Sequence, residues 1–86
     1  MRKVLFEKNA YNDFNKWETT NSKIYEKIQE LIRDILKNPH KGLGMPEPLK
    51  YELKGYWSRR ISKEHRLVYR VTNKEVIIIS CKYHYN

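Results

Sequence analysis

Residues 21–39 read NSKIYEKIQELIRDILKNP, and their spacing decides the first half of the fold. Ile24, Ile28, Leu31, Ile32 and Ile35 fall at i, i+4, i+7, i+8 and i+11, a single stripe of an α-helix. Asn21 stands ahead of that stripe with the short polar side chain of an N-cap. Lys37 suits the last turn, and Asn38-Pro39 stops the helix. Upstream, Ala10, Tyr11, Phe14 and Trp17 recur at three- and four-residue steps and predict an earlier helix. With a residue or two between them, the two helices form an antiparallel hairpin. Before them, Arg2 to Phe6 reads as a short strand, with Val4, Leu5 and Phe6 favouring extended structure.

Downstream the composition changes. Pro39, Gly42, Gly44, Pro46 and Pro48 mark residues 39–48 as a loop. The rest reads as β: strands from Leu49 to Leu53, Trp57 to Ser62, His65 to Thr72 and Glu75 to Tyr85. Turns fall at Lys54-Gly55, Lys63-Glu64 and Asn73-Lys74. Short turns between successive strands give an antiparallel meander. The expected fold class is therefore α+β, two N-terminal helices packed on one face of an antiparallel β-sheet, in a single domain spanning residues 1–86.

Alternation sorts the strand residues into two faces. Trp57 and Ile61, then Leu67, Tyr69 and Val71, then Ile77, Ile79, Cys81 and Tyr83 are assigned to the core. The opposite face receives Ser58, Arg60 and Ser62, then Arg66, Val68 and Arg70, then Ile78, Ser80, Lys82 and His84. That face gathers Arg60, Arg66, Lys82 and His84.

Eighteen Lys and Arg against ten Asp and Glu leave a net charge of +8 on 86 residues. Such a field attracts polyanions, so nucleic acid, an anionic membrane surface and an acidic protein all fit it. The one cysteine, Cys81, excludes an intramolecular disulfide. It lies in an apolar run and reads as a small buried hydrophobe. With His40, His65 and His84 scattered, no metal-ligand spacing appears, and no metal or cofactor is expected. No signal peptide is visible, and the longest apolar run, Val76 to Ile79, is far too short for a bilayer. A cytoplasmic protein with no membrane partner is expected.

RNA carries its own nucleophile, the 2′-hydroxyl. Cutting it needs a base, an acid for the leaving 5′-oxygen, and positive charge at the phosphate. Glu47, stiffened between Pro46 and Pro48, is a candidate base. His84 is the side chain best suited to give up a proton near neutrality. Arg60 and Arg66 would hold phosphate as planar forks. Lys50 and Lys82 add charge, and Tyr85 could stack on a base or bond a phosphate. On spacing alone the plainer readings stand beside these. Glu47 is then a solvent-facing loop carboxylate, His84 and Tyr85 are packing residues, and the arginines are surface charges. The residues alone support a basic α+β module equipped for nuclease chemistry.

Four stretches go further: Gly44-Met45-Pro46-Glu47-Pro48-Leu49-Lys50, Gly55-Tyr56-Trp57-Ser58-Arg59-Arg60-Ile61, Glu64-His65-Arg66-Leu67-Val68-Tyr69 and Cys81-Lys82-Tyr83-His84-Tyr85. Together they resemble the Txe/YoeB toxins of the RelE-like group, over nearly the whole chain. The resemblance implies a RelE-like microbial RNase fold with a twisted sheet. It also implies ribosome-dependent cleavage of mRNA in the A site, which halts translation. Glu47 would then be the general base, His84 the general acid, and Arg66 the stabiliser of the transition state. Lys50, Arg60 and Tyr85 would hold the phosphate and the nucleotide being cut. The implied partners are mRNA, the ribosome and a YefM-like antitoxin with an acidic tail. A homodimer is a further implied state, and operator DNA is reached only through the antitoxin complex.

Two departures are small. Asn86 extends the chain past the Tyr-His-Tyr ending, and Glu7 stands where a Ser-like cap would start the first helix more comfortably. Two other readings compete with the enzyme. One is a non-catalytic RNA- or ribosome-binding module on the same basic face. The other is a repressor subunit, for which the sequence offers no helix-turn-helix with a basic recognition helix.

Overall fold

Asn21 serves both helices. In the computed structural model, which describes residues 1–83, α1 runs Lys8–Thr20 and α2 runs Ser22–Lys37. Asn21 is the only residue between them. Its backbone N–H donates to the Trp17 carbonyl at 2.9 Å and closes α1. Its side-chain oxygen accepts from the Ile24 N–H at 3.3 Å and opens α2. One residue capping two helix ends fixes the hairpin that the periodicity predicts. Glu7, the N-cap of α1, makes no side-chain capping bond, in keeping with the awkward position its sequence suggests.

Five strands form one sheet in the order β1-β5-β4-β3-β2. They are β1 (Lys3–Phe6), β2 (Glu47–Pro48), β3 (Trp57–Arg60), β4 (Arg66–Val71) and β5 (Glu75–Ser80). β2 to β5 make the expected antiparallel meander. β1 departs from it and pairs parallel to β5, from Lys3 opposite Glu75 to Phe6 opposite Ile78. The Asn73-Lys74 turn is closed by Thr72, whose N–H donates to the Glu75 carbonyl at 2.8 Å. The Thr72 hydroxyl accepts from the Glu75 N–H at 2.9 Å.

The strand expected at Leu49 to Leu53 is absent. Pairing with β3 stops after Pro48, and Tyr51–Leu53 forms a single 3-10 turn. Tyr51 takes a left-handed φ of 58°, which a strand does not allow. The bonds Leu53 N–H to Lys50 O and Lys54 N–H to Tyr51 O close the turn instead. β2 itself lies inside the stretch that composition marks as loop.

The core assignment for β5 is also reversed. Val76 and Ile78 are fully buried in the core, while Ile77 and Ile79 are only half-buried. Val68 pairs with Ser80 while Tyr69 pairs with Ile78, so Ile79 is the extra residue of a β-bulge. The bulge shifts the alternation by one residue, which is how Ile78 and Cys81 both reach the core at an odd separation. Tyr83, assigned to the core, is exposed. The helices cover the Val76 and Ile78 face with Ala10 of α1 and Ile28, Leu31 and Ile35 of α2. Phe6, Phe14 and Tyr25 extend that layer, with successive ring centroids 5.0 and 4.7 Å apart.

The bulge gives a direct test. Ile78→Ala should cost about 2–5 kcal/mol in chemical denaturation, as for other buried isoleucines. Ile79→Ala should cost well under half of that. A larger loss at Ile79 than at Ile78 would restore the core assignment that simple alternation gives β5.

Candidate RNA-binding and catalytic site

The loop that leads to Glu47 is held by a buried arginine. Arg59, on β3, is fully buried and spends all five of its N–H donors. Nε donates to the Tyr69 hydroxyl at 3.1 Å. One terminal nitrogen donates to Asp34 Oδ2 at 2.6 Å and to the Leu43 carbonyl at 3.1 Å. The other donates to the carbonyls of Asn38 at 2.7 Å and Lys41 at 3.0 Å. The Tyr69 hydroxyl in turn donates to the Pro39 carbonyl at 2.7 Å, and Asp34 Oδ2 accepts from the Leu43 N–H at 2.9 Å. Residues 38–43 therefore close around one guanidinium. The Leu43 N–H, and after it Arg59, hold the Asp34 carboxyl below its ordinary value of 3.8. Burial raises the Tyr69 phenol above its ordinary value, against the pull of Arg59.

Gly44 then passes where no side chain fits. Its φ is +78°, and a Cβ there would lie 2.9 Å from Leu31 Cδ2 and 3.0 Å from the Arg60 carbonyl. Its own carbonyl accepts from the Arg60 N–H at 2.6 Å. The loop is thus stitched to β3 just before Glu47.

Sheet register then gathers the candidates on the face away from the helices. Glu47 pairs with Ser58, Ser58 with Val68, and Val68 with Ser80, giving one row across four strands. Two residues along, Arg60 pairs with Arg66. Glu47 and Arg60 are exposed, and Arg66 is half-buried. Its guanidinium is tethered, with Nη1 donating to the carbonyls of Ser62 at 2.7 Å and His65 at 3.1 Å. The centre of the face is less open than alternation suggests. Val68 is fully buried yet stands outside the helix-side core, and Ser58 is buried beside it.

Lys50 is exposed at the start of the 3-10 turn, next to a Tyr51 that is 91% exposed. Lys82 is half-buried, and its ammonium sits 5.2 Å from the Tyr83 ring centroid. His84 and Tyr85 lie outside the described residues. Cys81 is not available as a nucleophile: burial first, then the nearby charge of Asp13, pushes its thiol up to about 12. Among the described residues, no three His, Cys, Asp or Glu side chains converge to hold a metal ion. No helix among them is long and apolar enough to cross a membrane.

The motif order and this geometry agree with what known proteins show. The family model described as a YoeB-like toxin of bacterial type II toxin–antitoxin system matches residues 6–85. The chain belongs to the YoeB toxin family. It is 47% identical over 83 residues to toxin YoeB of Escherichia coli K12, covering 96% of this chain and 99% of that one. The YoeB dimer of Staphylococcus aureus superposes with a TM-score of 0.92 at 44% identity, covering 98% of each chain. The YoeB–YefM complex from the same organism gives 0.90 at 44% identity over 99% of each. The two-helix, one-sheet architecture is therefore the YoeB fold, and the chain is a toxin of a type II toxin–antitoxin system.

The residue that sequence reasoning misses in this YoeB-family chain is Arg59. Its signal is present: it lies between Trp57 and Ile61, two residues from each, so it takes a core position in the alternation. A charge in core phase asks for a buried partner.

Asp34→Asn should lower stability by about 1–3 kcal/mol, since Arg59 then keeps its burial without its counter-charge. It should also flatten the acid limb of the stability curve. The folded carboxyl titrates below its unfolded value, so its contribution is complete above pH 3.8 and is lost as pH falls through the folded value. Urea melts of both proteins between neutral and acid pH provide the measurement. An unchanged acid limb would separate Asp34 from the pH dependence.

Proposed function

We propose that this YoeB-family toxin is an endoribonuclease that cuts mRNA in the ribosomal A site, in the cytoplasm, and so stops translation. The observation that carries the reading is the direct pairing of Arg60 with Arg66 on one face of the sheet. Like charges set opposite each other destabilise a sheet, so the pair has a cost that a polyanionic ligand would remove. Glu47 lies on the same face, on the neighbouring strand row, at the end of a loop fixed by Arg59. A carboxylate and a pair of planar cations on a rigid platform suit attack by a 2′-hydroxyl.

In the proposed reaction Glu47 takes the 2′-hydroxyl proton. The 2′-oxygen bonds to the adjacent phosphorus, and the bond from phosphorus to the 5′-oxygen breaks. His84 gives a proton to that leaving oxygen. The products are a 2′,3′-cyclic phosphate and a 5′-hydroxyl. Arg66 stabilises the added charge on phosphorus, while Lys50, Arg60, Lys82 and Tyr85 hold the phosphate backbone and the cut nucleotide. No cofactor enters this scheme.

The partner expected to silence the toxin is a YefM-like antitoxin whose acidic tail covers the basic face. The YoeB–YefM complex of the Staphylococcus aureus relative supports such a partner, as does the net charge of +8. The dimer of that relative supports a homodimer as a further state. Contact with operator DNA is proposed only through the antitoxin complex.

The test is cleavage of a defined A-site codon on programmed ribosomes, with 3′ ends mapped. Glu47→Gln, His84→Ala and Arg66→Ala should each lower the rate by about a hundredfold or more. Cleavage that persists without ribosomes would remove the targeting step and keep the chemistry. If folded, antitoxin-free protein leaves the mRNA intact, the face is a non-catalytic RNA- or ribosome-binding surface. Separately, association with an acidic antitoxin should slow as salt rises. A rate indifferent to salt would place the docking surface elsewhere.

A further inference from the structure

His65 is buried, 8% exposed, and lies in the turn that precedes β4, away from the phosphate-facing row. Its imidazole nonetheless makes a specific bond: Nδ1 accepts from the Tyr83 N–H at 2.9 Å. The next residue completes a clasp, as the Arg66 N–H donates to the Tyr83 carbonyl at 3.1 Å. Both backbone polar groups of Tyr83 are thereby tied to consecutive residues of another element. Trp17 of α1 reinforces the arrangement. Its indole N–H donates to the Cys81 carbonyl at 3.1 Å, and its ring meets the His65 ring edge-on at 4.9 Å. The imidazole also packs against the Tyr83 ring, tilted at 43° with the centroids 5.5 Å apart.

The clasp holds a backbone that would not choose its conformation. Tyr83 has a φ of 61°, the left-handed region that L-residues with bulky side chains avoid. The angle falls at the last described residue, past the end of β5 at Ser80 and next in sequence to His84. The bond also sets the imidazole's form. Nδ1 accepts, so it carries no proton, and the ring proton of the neutral form sits on Nε2.

We propose that His65 is a positioning residue, a backbone clasp that fixes residue 83 and so sets the starting point of the chain end that carries His84. The inference rests on the proposed role of His84 as acid. His65 touches neither RNA nor the reacting phosphate; it acts through the peptide of Tyr83. A misplaced proton donor slows the chemical step while leaving substrate binding nearly intact.

The experiment uses the full-length protein and two variants. His65→Asn keeps an acceptor oxygen where Nδ1 stands, while His65→Leu removes it. In free, isotope-labelled wild-type protein, a through-bond nitrogen–nitrogen coupling should link the Tyr83 amide to His65 Nδ1, and nitrogen shifts should report the Nε2–H form. On programmed ribosomes His65→Leu should lose about tenfold to a hundredfold in kcat with KM changed by less than about threefold. His65→Asn should recover most of that loss. Absence of the coupling would overturn the clasp, and so would full activity in a folded His65→Leu variant. If His65→Leu does not fold, the wild-type coupling and the His65→Asn rate still decide. If wild-type protein fails to cut, the nuclease reading and the role in positioning the acid fall together, while the coupling still settles whether His65 holds residue 83.

Discussion

The guanidinium of Arg59 is the fixed point of this molecule. It is a permanent charge taken wholly out of water, and such a charge is tolerated only when every donor finds an acceptor. Here the acceptors come from α2, β4 and the loop between α2 and β2. That loop has two glycines and no regular structure through residue 46, and its ordinary fate would be mobility. Three of its carbonyls, at Asn38, Lys41 and Leu43, accept from Arg59, and a fourth, at Pro39, accepts from the Tyr69 hydroxyl that Arg59 holds. Glu47 is thus delivered to β2 from an anchored segment, and the placement that the proposed base needs is built into the free protein.

The second constraint is the division of labour between the two faces of the sheet. One is filled by the apolar stripe of α2 and by Ala10, Phe14 and Trp17 of α1. The other leaves two arginines side by side on adjacent strands. An arrangement that costs the isolated protein stability is in keeping with the polyanionic ligand proposed for this face. The turn at residues 62–65 joins the two sides. It receives Arg66 Nη1 on its carbonyls, and from its last residue it reaches the chain end through His65. A single four-residue turn therefore orients one candidate catalytic side chain and the segment leading to another.

Much of this was legible in the residues. The isoleucine stripe of α2, the cap at Asn21 and the turn at Asn73-Lys74 are local signals, and the structure follows them. The meander follows from turn spacing. Illegible features depend on partners distant in sequence or on a backbone angle that the residue type does not announce. The parallel pairing of β1 with β5 joins residues about seventy positions apart, and nothing in Lys3–Phe6 names its neighbour. The bulge at Ile79 inverts the phase of a strand whose residues, Val76 to Ile79, are all apolar, so hydropathy could not reveal the slip. The short reach of β2 reflects the left-handed angle at Tyr51, a position where no glycine advertises it. For the site, Glu47, Arg60 and Arg66 were legible as types and as a resemblance, and the structure puts them on one face. His84 and Tyr85 rest on the motif alone.

The parallel strand pair has a consequence for how such a chain comes into being. β5, which lies between β1 and β4 and supplies Val76 and Ile78 to the core, is the last in chain order of the five strands among the described residues. The first strand must wait for it, and so must the indole of Trp17, whose acceptor is the Cys81 carbonyl. Until β5 is in place, the sheet lacks the strand between β1 and β4 and the helices have no complete surface to cover. Tertiary structure thus waits on pairing between residues about seventy positions apart, a topology that slows assembly.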